Sequence, residues 1–158
     1  MEKIAVFPGS FDPITVGHES IVCRGLGLFD KIIIAIGQNS TKNNRFSVDQ
    51  RTRMVQEVFA NEPKIEVVSF EGLTVNFCKS VNAKYIIRGL RTSADFEFER
   101  AIGQVNKMMN DEIETIFLLT STSHTPINSS IVRDILKNNG DVSPFIPKNL
   151  NINKYLKE

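Results

Sequence analysis

Ile4-Ala5-Val6-Phe7-Pro8-Gly9-Ser10-Phe11-Asp12-Pro13-Ile14-Thr15-Val16-Gly17-His18 decides the fold. Its first four residues are an apolar run bounded by Pro and Gly, which predicts a short buried strand. The residues after His18 carry a helical apolar pattern, so the stretch reads as strand, glycine-containing loop and helix start. That arrangement gathers free backbone N–H groups and the positive end of a helix dipole at one spot, a ready anion site. His18 falls in the first helical turn, where it can face the same anion. Turn chemistry alone also accounts for a Gly and a Pro here, and a lone histidine is more often structural. The remaining segments have to separate the two readings.

Ile21, Val22, Leu26 and Phe29 continue a loose helical stripe that Gly25 and Gly27 weaken. Lys31 to Gly37 is a second strand, apolar on both faces, as in parallel sheets covered by helices on both sides. Asn39 to Arg45 is a polar, basic loop. Ser47-Val48-Asp49-Gln50 predicts a capping box opening a helix with Met54, Val55, Val58 and Phe59 on one face. Ile65 to Phe70 alternates, which predicts a more exposed third strand. Thr74 to Val81 is a short helix, and Lys84 to Ile87 a fourth strand ending at Arg88-Gly89-Leu90-Arg91.

From about Asp95 to Met109 runs the strongest helical pattern, with Phe98, Ala101, Ile102, Val105, Met108 and Met109 on one stripe. The Met108–Met109 pair reads as core packing. Thr115 to Thr120 is a fifth strand. Ser129-Ser130 opens a last helix as N-cap hydroxyls, and Gly140 closes it as the C′ residue. Pro147 to Glu158 predicts a small terminal helix. Strands alternating with helices give an α/β fold with a doubly wound five-stranded parallel sheet, Rossmann-like, in one domain over residues 1–158.

Composition narrows the function. The 158 residues carry 19 Lys and Arg against 18 Asp and Glu, a net charge of +1. A nucleic-acid coat needs a basic excess, so nucleic acid is not an expected partner. No apolar run approaches the roughly 20 residues that span a bilayer, and the N-terminus lacks a signal-peptide pattern. Cys23 and Cys78 stand alone in apolar patterns and are expected to be buried free thiols, which fits a cytoplasmic protein. With His18 and His124 as the two histidines, no zinc site is expected.

Ligands of doubly wound sheets bind beyond the C-terminal strand ends. The Ser10–His18 loop, Lys42, Arg88, Arg91 and Ser129–Ser130 all fall there. Two arginines three apart fit a phosphate clamp; ion pairs with Asp95, Glu97 or Glu99 are the alternative. Lys42 by itself is an ordinary surface lysine, and Arg133, one turn into the last helix, reads as solvated.

Thr15-Val16-Gly17-His18 matches the (H/T)-x-G-H signature of the nucleotidylyltransferases. With PGSFDPITVGH, RGLRTSADFEFE, INSSIVRDI and GDVSPFIP in order, the chain resembles the bacterial phosphopantetheine adenylyltransferases over nearly its whole length. The resemblance implies AMP transfer from ATP to 4′-phosphopantetheine, giving dephospho-coenzyme A and pyrophosphate. It also implies Mg2+, with no metal ligand from protein side chains, and a cytoplasmic homohexamer. Feedback binding of coenzyme A is left open. Carried over by position, Ser10, Lys42, Thr74 and Arg88 hold phosphopantetheine. Ser10, Phe11, His18, Gly89, Leu90, Arg91, Glu99, His124, Thr125, Pro126, Ile127, Asn128, Ser129 and Ser130 hold ATP. His18, Lys42 and Arg91 are the catalytic set. His124 and Asn128 depart from the family's aromatic and serine, and Phe98 and Ser10 from its common tyrosine and threonine. The (H/T)-x-G-H motif alone equally fits transfer to nicotinamide mononucleotide, glycerol 3-phosphate or choline phosphate, and the fold alone fits a non-catalytic nucleotide-binding module.

Overall fold

The computed structural model describes residues 2–38 and 43–157. Lys42, one of the expected site residues, lies outside the described residues. Five strands alternate with helices: β1 Ile4–Gly9, α1 Val16–Gly25, β2 Lys31–Gly37, α2 Val48–Val58, β3 Ile65–Phe70, α3 Thr74–Ser80, β4 Tyr85–Leu90, α4 Ser93–Met109, β5 Glu114–Leu119 and α5 Ser129–Lys137. The sheet is parallel throughout, in the order β3-β2-β1-β4-β5.

The two apolar strands take the positions their composition requires. Val6 of β1 sits between Ile33 of β2 and Ile86 of β4. Ala5, Val6, Ile32, Ile34 and Ile36 are wholly buried. One face of the sheet packs Phe7, Ile34 and Ile87 with Val22, Met54 and Val132 from α1, α2 and α5; the other packs Val6, Ile33 and Ile86 with Val75 and Cys78 of α3. The alternating strand β3 is an edge strand, as expected. The chain runs outward from β1 to β3, then returns to β4 on β1's other side. The crevice beyond β1 and β4 is therefore the switch point at which such sheets bind ligands.

Both helix starts read from the sequence are capped, one by a different residue. Ser47 and Gln50 form the expected box: Gln50 N–H donates to Ser47 Oγ at 3.1 Å, and Ser47 N–H to Gln50 Oε1 at 3.0 Å. At α5 the cap is Asn128, whose Oδ1 accepts from Ile131 N–H at 2.9 Å, so Ser129 and Ser130 are already helical. Asn and Ser cap about equally well, and geometry chose the asparagine. The left-handed residue after α5 is Asn139 (φ 57°), not Gly140.

Four further expectations are corrected. Cys23 is exposed on α1, and only Cys78 is buried. The tail holds a single 3-10 turn, Ile152–Lys154, instead of a helix; Tyr155 and Asn151 tie it to Glu57 of α2. Arg88 and Gly89 lie within β4, paired with Phe117 and Leu118 of β5. The α4 stripe is not core: Phe98 is 68% exposed, Val105 52% and Met108 86%. Instead α4 meets β5 through Phe96, whose ring meets Phe117 edge-on at 6.0 Å, and through Gly103 against Thr115. Among the described residues no helix is long and apolar enough to cross a membrane.

Candidate active site

The loop after β1 is shaped by its own aromatic ring. Phe11 takes a left-handed φ of 48°, strained for a bulky residue, and is 2% exposed. Its ring lies edge-on to Phe7 at 5.4 Å and 5.0 Å from the His18 ring. A Cβ on Gly9 would stand 2.9 Å from that ring, so only glycine admits this packing.

Thr15 and His18 form a capping box at the start of α1, with histidine in the place usually held by Glu or Gln. Thr15 N–H donates to His18 Nδ1 at 3.0 Å, and His18 N–H to Thr15 Oγ1 at 3.4 Å. An Nδ1 that accepts a hydrogen bond carries no proton, so the neutral ring keeps its N–H on Nε2. Burial, then the charges of Arg91 and Arg88, push the His18 pKa down to about 4. His18 is therefore a neutral donor at physiological pH. Among the first residues of α1, Val16 N–H donates to the Phe145 carbonyl, and Gly17 lines the crevice.

Opposite stand Arg88 of β4 and Arg91, the residue just after that strand. Arg88 is held on three sides: Nε and Nη2 meet the Glu99 carboxylate at 2.7 and 2.5 Å, and Nη1 donates to the Pro8 carbonyl at 2.8 Å. Three of its five N–H groups are used and two remain for a ligand. The ion-pair alternative raised above thus holds for Arg88. It holds for Arg91 too, which meets Asp95 at 3.2 Å. The two pairs differ in worth. Arg91–Asp95 is exposed, and Asp95 Oδ2 accepts only one guanidinium N–H beside the Arg91 backbone N–H, so the guanidinium is easily exchanged onto a phosphate. Arg88–Glu99 is bidentate on a carboxylate only 9% exposed, so it stays and aims the guanidinium.

Two cavities meet at this pair. One, of about 310 Å³, is lined by Ser10, Phe11, Gly17, His18, Arg91 and Ser129 among others. The second, of about 670 Å³, runs along Phe70, Thr74, Ile102 and Asn106. Pro8, Gly9, Ser10, Arg88 and Glu99 line both. Here two anionic ligands can meet at a wall that carries Arg88, one beside the neutral donor and the other along a channel of mixed polarity. Among the described residues no cluster of three or more His, Cys, Asp or Glu could hold a metal. Asp95 and Glu99 are both engaged by arginines, so the donor set suits a cation carried in on a polyphosphate, not a resident one.

A family model described as cytidylyltransferase-like matches residues 6–135. The chain is 53% identical to the phosphopantetheine adenylyltransferase of Flavobacterium psychrophilum over 144 residues, covering 91% of this chain and 95% of the relative. The chain belongs to the phosphopantetheine adenylyltransferase family. A second member, from Flavobacterium johnsoniae, is 50% identical over 150 residues, covering 95% of this chain and 98% of the relative. Among solved structures, a bifunctional NMN adenylyltransferase/ADP ribose pyrophosphatase from Francisella tularensis superposes with a TM-score of 0.73 at 19% identity, covering 99% of this chain and 49% of that one. At that identity the likeness bears on the fold.

Of the positions carried over from the family, the smaller cavity gathers Ser10, Phe11, His18, Arg88, Gly89, Arg91, Glu99, Ile127, Asn128 and Ser129. The larger gathers Ser10, Thr74, Arg88 and Glu99. Leu90, Thr125, Pro126 and Ser130 line neither cavity. His124 lines a separate groove with Glu19 and Cys23, its Nδ1 3.1 Å from Ser121 Oγ. Gly89 allows a close approach, but of the Ile21 side chain, 3.1 Å from where its Cβ would be. Arg133 is half-buried rather than simply solvated: it donates to the Asp12 carbonyl at 2.8 Å and to Ser130 Oγ at 3.0 Å. Arg51, Asp12 and Arg133 went unread in their site-building role. Their partners are largely backbone groups distant in sequence, which leave no local pattern.

Proposed function

We propose that the chain transfers the adenylyl group of ATP to 4′-phosphopantetheine, reversibly, giving dephospho-coenzyme A and pyrophosphate, the penultimate step of coenzyme A synthesis. The observation that carries this is the shared wall: Arg88, aimed by Glu99, borders both cavities, with the neutral donor His18 in one of them. The names of the relatives support the choice of acceptor.

The attacking group is the acceptor's own phosphate, largely dianionic near neutral pH because its second pKa is about 6. No general base is needed. The difficulty is to bring two polyanions together and stabilise charge on the α-phosphate during in-line attack, which fixed donors achieve. His18 Nε2–H donates to an α-phosphate oxygen. Lys42 and the free N–H groups of Arg88 neutralise and aim the acceptor phosphate, beside Ser10 and Thr74. Arg91, released from Asp95, takes the β- and γ-phosphates together with the first-turn amides of α5 at Ser129 and Ser130. The nucleotide lies along Phe11, Gly89, Ile127 and Asn128, carried-over positions that line the smaller cavity. Mg2+, bound by the phosphates and water, supplies charge neutralisation on the polyphosphate when present.

The acceptor assignment is tested by kcat/KM for pyrophosphate release across 4′-phosphopantetheine, nicotinamide mononucleotide, glycerol 3-phosphate and choline phosphate. The expected preference for 4′-phosphopantetheine is at least about 10³-fold, since the other acceptors lack an arm to fill the larger cavity. Comparable values would remove the assignment, and nucleotide binding without pyrophosphate release would favour a non-catalytic module.

We also propose that the chain assembles as a homohexamer in the cytoplasm. The exposed face of α4, with Phe98, Val105, Met108 and Met109, is the support for self-association. Val105→Glu should shift the sedimentation coefficient to smaller species; an unchanged assembly would exclude this face.

A further inference from the structure

Two side chains of α5 tie it to the loop after β1. Ser129 Oγ donates to the Pro13 carbonyl at 2.8 Å, across 116 residues. Arg133 Nη1 donates to the adjacent Asp12 carbonyl at 2.8 Å, while its Nη2 meets Ser130 Oγ at 3.0 Å. From below, Arg51 of α2 takes the Ser10 carbonyl of the same loop at 2.7 Å, and the Asp12 carboxylate accepts the N–H groups of Arg45 and Phe46. Water would satisfy loop carbonyls nearly as well, so these bonds add position more than stability. They also limit what Ser129 can do. A hydroxyl has one proton to donate. That of Ser129 is spent on Pro13, which leaves none for a phosphate oxygen. The Ser129 side chain therefore holds the loop, not the nucleotide.

We propose that Ser129 and Arg133 are positioning residues that latch the start of α5 to the Asp12 and Pro13 carbonyls and so set its distance from the His18 donor. This rests on the adenylyl-transfer reading, which puts the α-phosphate on His18 and the β- and γ-phosphates at the start of α5. The link between the two helix starts is short. Pro13 is followed by Ile14, which is wholly buried, and then by Thr15, whose N–H fixes the His18 ring. A shift at Pro13 is thus passed to His18. The three phosphates belong to one ligand, so the groups that hold them must keep a fixed spacing, and small displacements of such groups are expensive in rate. Asp12, Pro13, Ser129 and Arg133 do not line the larger cavity, so acceptor binding should not feel the latch.

The test is a double-mutant cycle on the full-length protein, read by the single-turnover rate of adenylyl transfer and by calorimetric binding of ATP and 4′-phosphopantetheine. Ser129→Ala removes the hydroxyl and leaves the charge and the backbone amide in place. It should lower the transfer rate by about tenfold, raise the ATP Kd by about threefold or less and leave the acceptor Kd within about twofold. In a His18→Ala background the same substitution should lower the rate by less than about twofold, because the donor it aligns is gone. Arg133→Met loses both bonds of the guanidinium and should show the same coupling to His18; it carries the test if Ser129→Ala does not fold. An undiminished loss of rate in the His18→Ala background would make Ser129 a direct ligand or general scaffolding and overturn the inference, as would equal weakening of both substrates. If His18→Ala alone leaves the rate near normal, the donor assignment fails and the inference falls with it. If His18→Ala lowers the rate and a folded Ser129→Ala does not, only the inference fails.

Discussion

His18→Ala is expected to lower turnover by about 10²–10³-fold while the KM for ATP moves only a few-fold. The reason is the hydrogen bond at Nδ1. Because Thr15 N–H occupies that nitrogen, the ring is locked as an Nε2–H donor, and its worth is greatest when negative charge builds on the α-phosphate. A donor that gains strength in the transition state acts on kcat more than on ground-state binding. The pH dependence is specific. With a pKa pushed down to about 4, against 6.5 for a free histidine, His18 does not titrate between pH 6 and 8 in the ligand-free protein. Any limb near pH 6 then belongs to the acceptor phosphate and persists in the variant. The stability contributed by a neutral His18 is fully present above pH 6.5 and is lost as pH falls through about 4. Near-normal turnover in His18→Ala would remove the donor role. So would a wild-type NMR titration of the His18 ring near pH 6.5.

Arg88→Ala is expected to lower kcat/KM by about 10³-fold or more, because it removes a cation and also exposes an anion. Glu99 is 9% exposed and has both carboxylate oxygens on Arg88. Without the guanidinium, an unpaired carboxylate borders both cavities and repels both phosphate-bearing substrates. Part of the loss is therefore recoverable. Adding Glu99→Gln to Arg88→Ala should restore about tenfold, since it removes the repulsion without restoring the cation. Glu99→Gln alone should cost less, as Arg88 still bonds the Pro8 carbonyl. A loss below tenfold in Arg88→Ala would show that the shared wall is not where the substrates meet.

Much of this fold is legible in the sequence. The runs Ile4–Phe7 and Lys31–Ile36 are apolar on both faces, and only the middle of a covered parallel sheet accommodates that. The alternation from Ile65 to Phe70 marks an edge, and Ser47–Gln50 follows a local rule that local geometry obeys. The same rule hid the box at Thr15–His18, because it names Glu or Gln at the third helical position and histidine stands there. The α4 stripe was legible as apolar but not as exposed; periodicity reports a face that avoids water without saying which molecule covers it. The charged framework was the least legible. Arg51 reaches Ser10 across 41 residues and Arg133 reaches Asp12 across 121, both ending on carbonyl oxygens that every residue type possesses. The pairing of Arg88 with Glu99 was visible only as one option among three neighbouring acids, and the sheet register, setting Arg88 opposite Phe117, accompanies the choice actually made.

The central claim is direct adenylyl transfer between two anions held by fixed donors, with no covalent enzyme intermediate. The most direct measurement is a single turnover with excess protein and ATP labelled at the α-phosphorus. With 4′-phosphopantetheine and Mg2+ present, the label should pass to dephospho-coenzyme A at the rate at which pyrophosphate appears, with none retained on the denatured protein. Pyrophosphate released without acceptor, or label remaining on the protein, would contradict it.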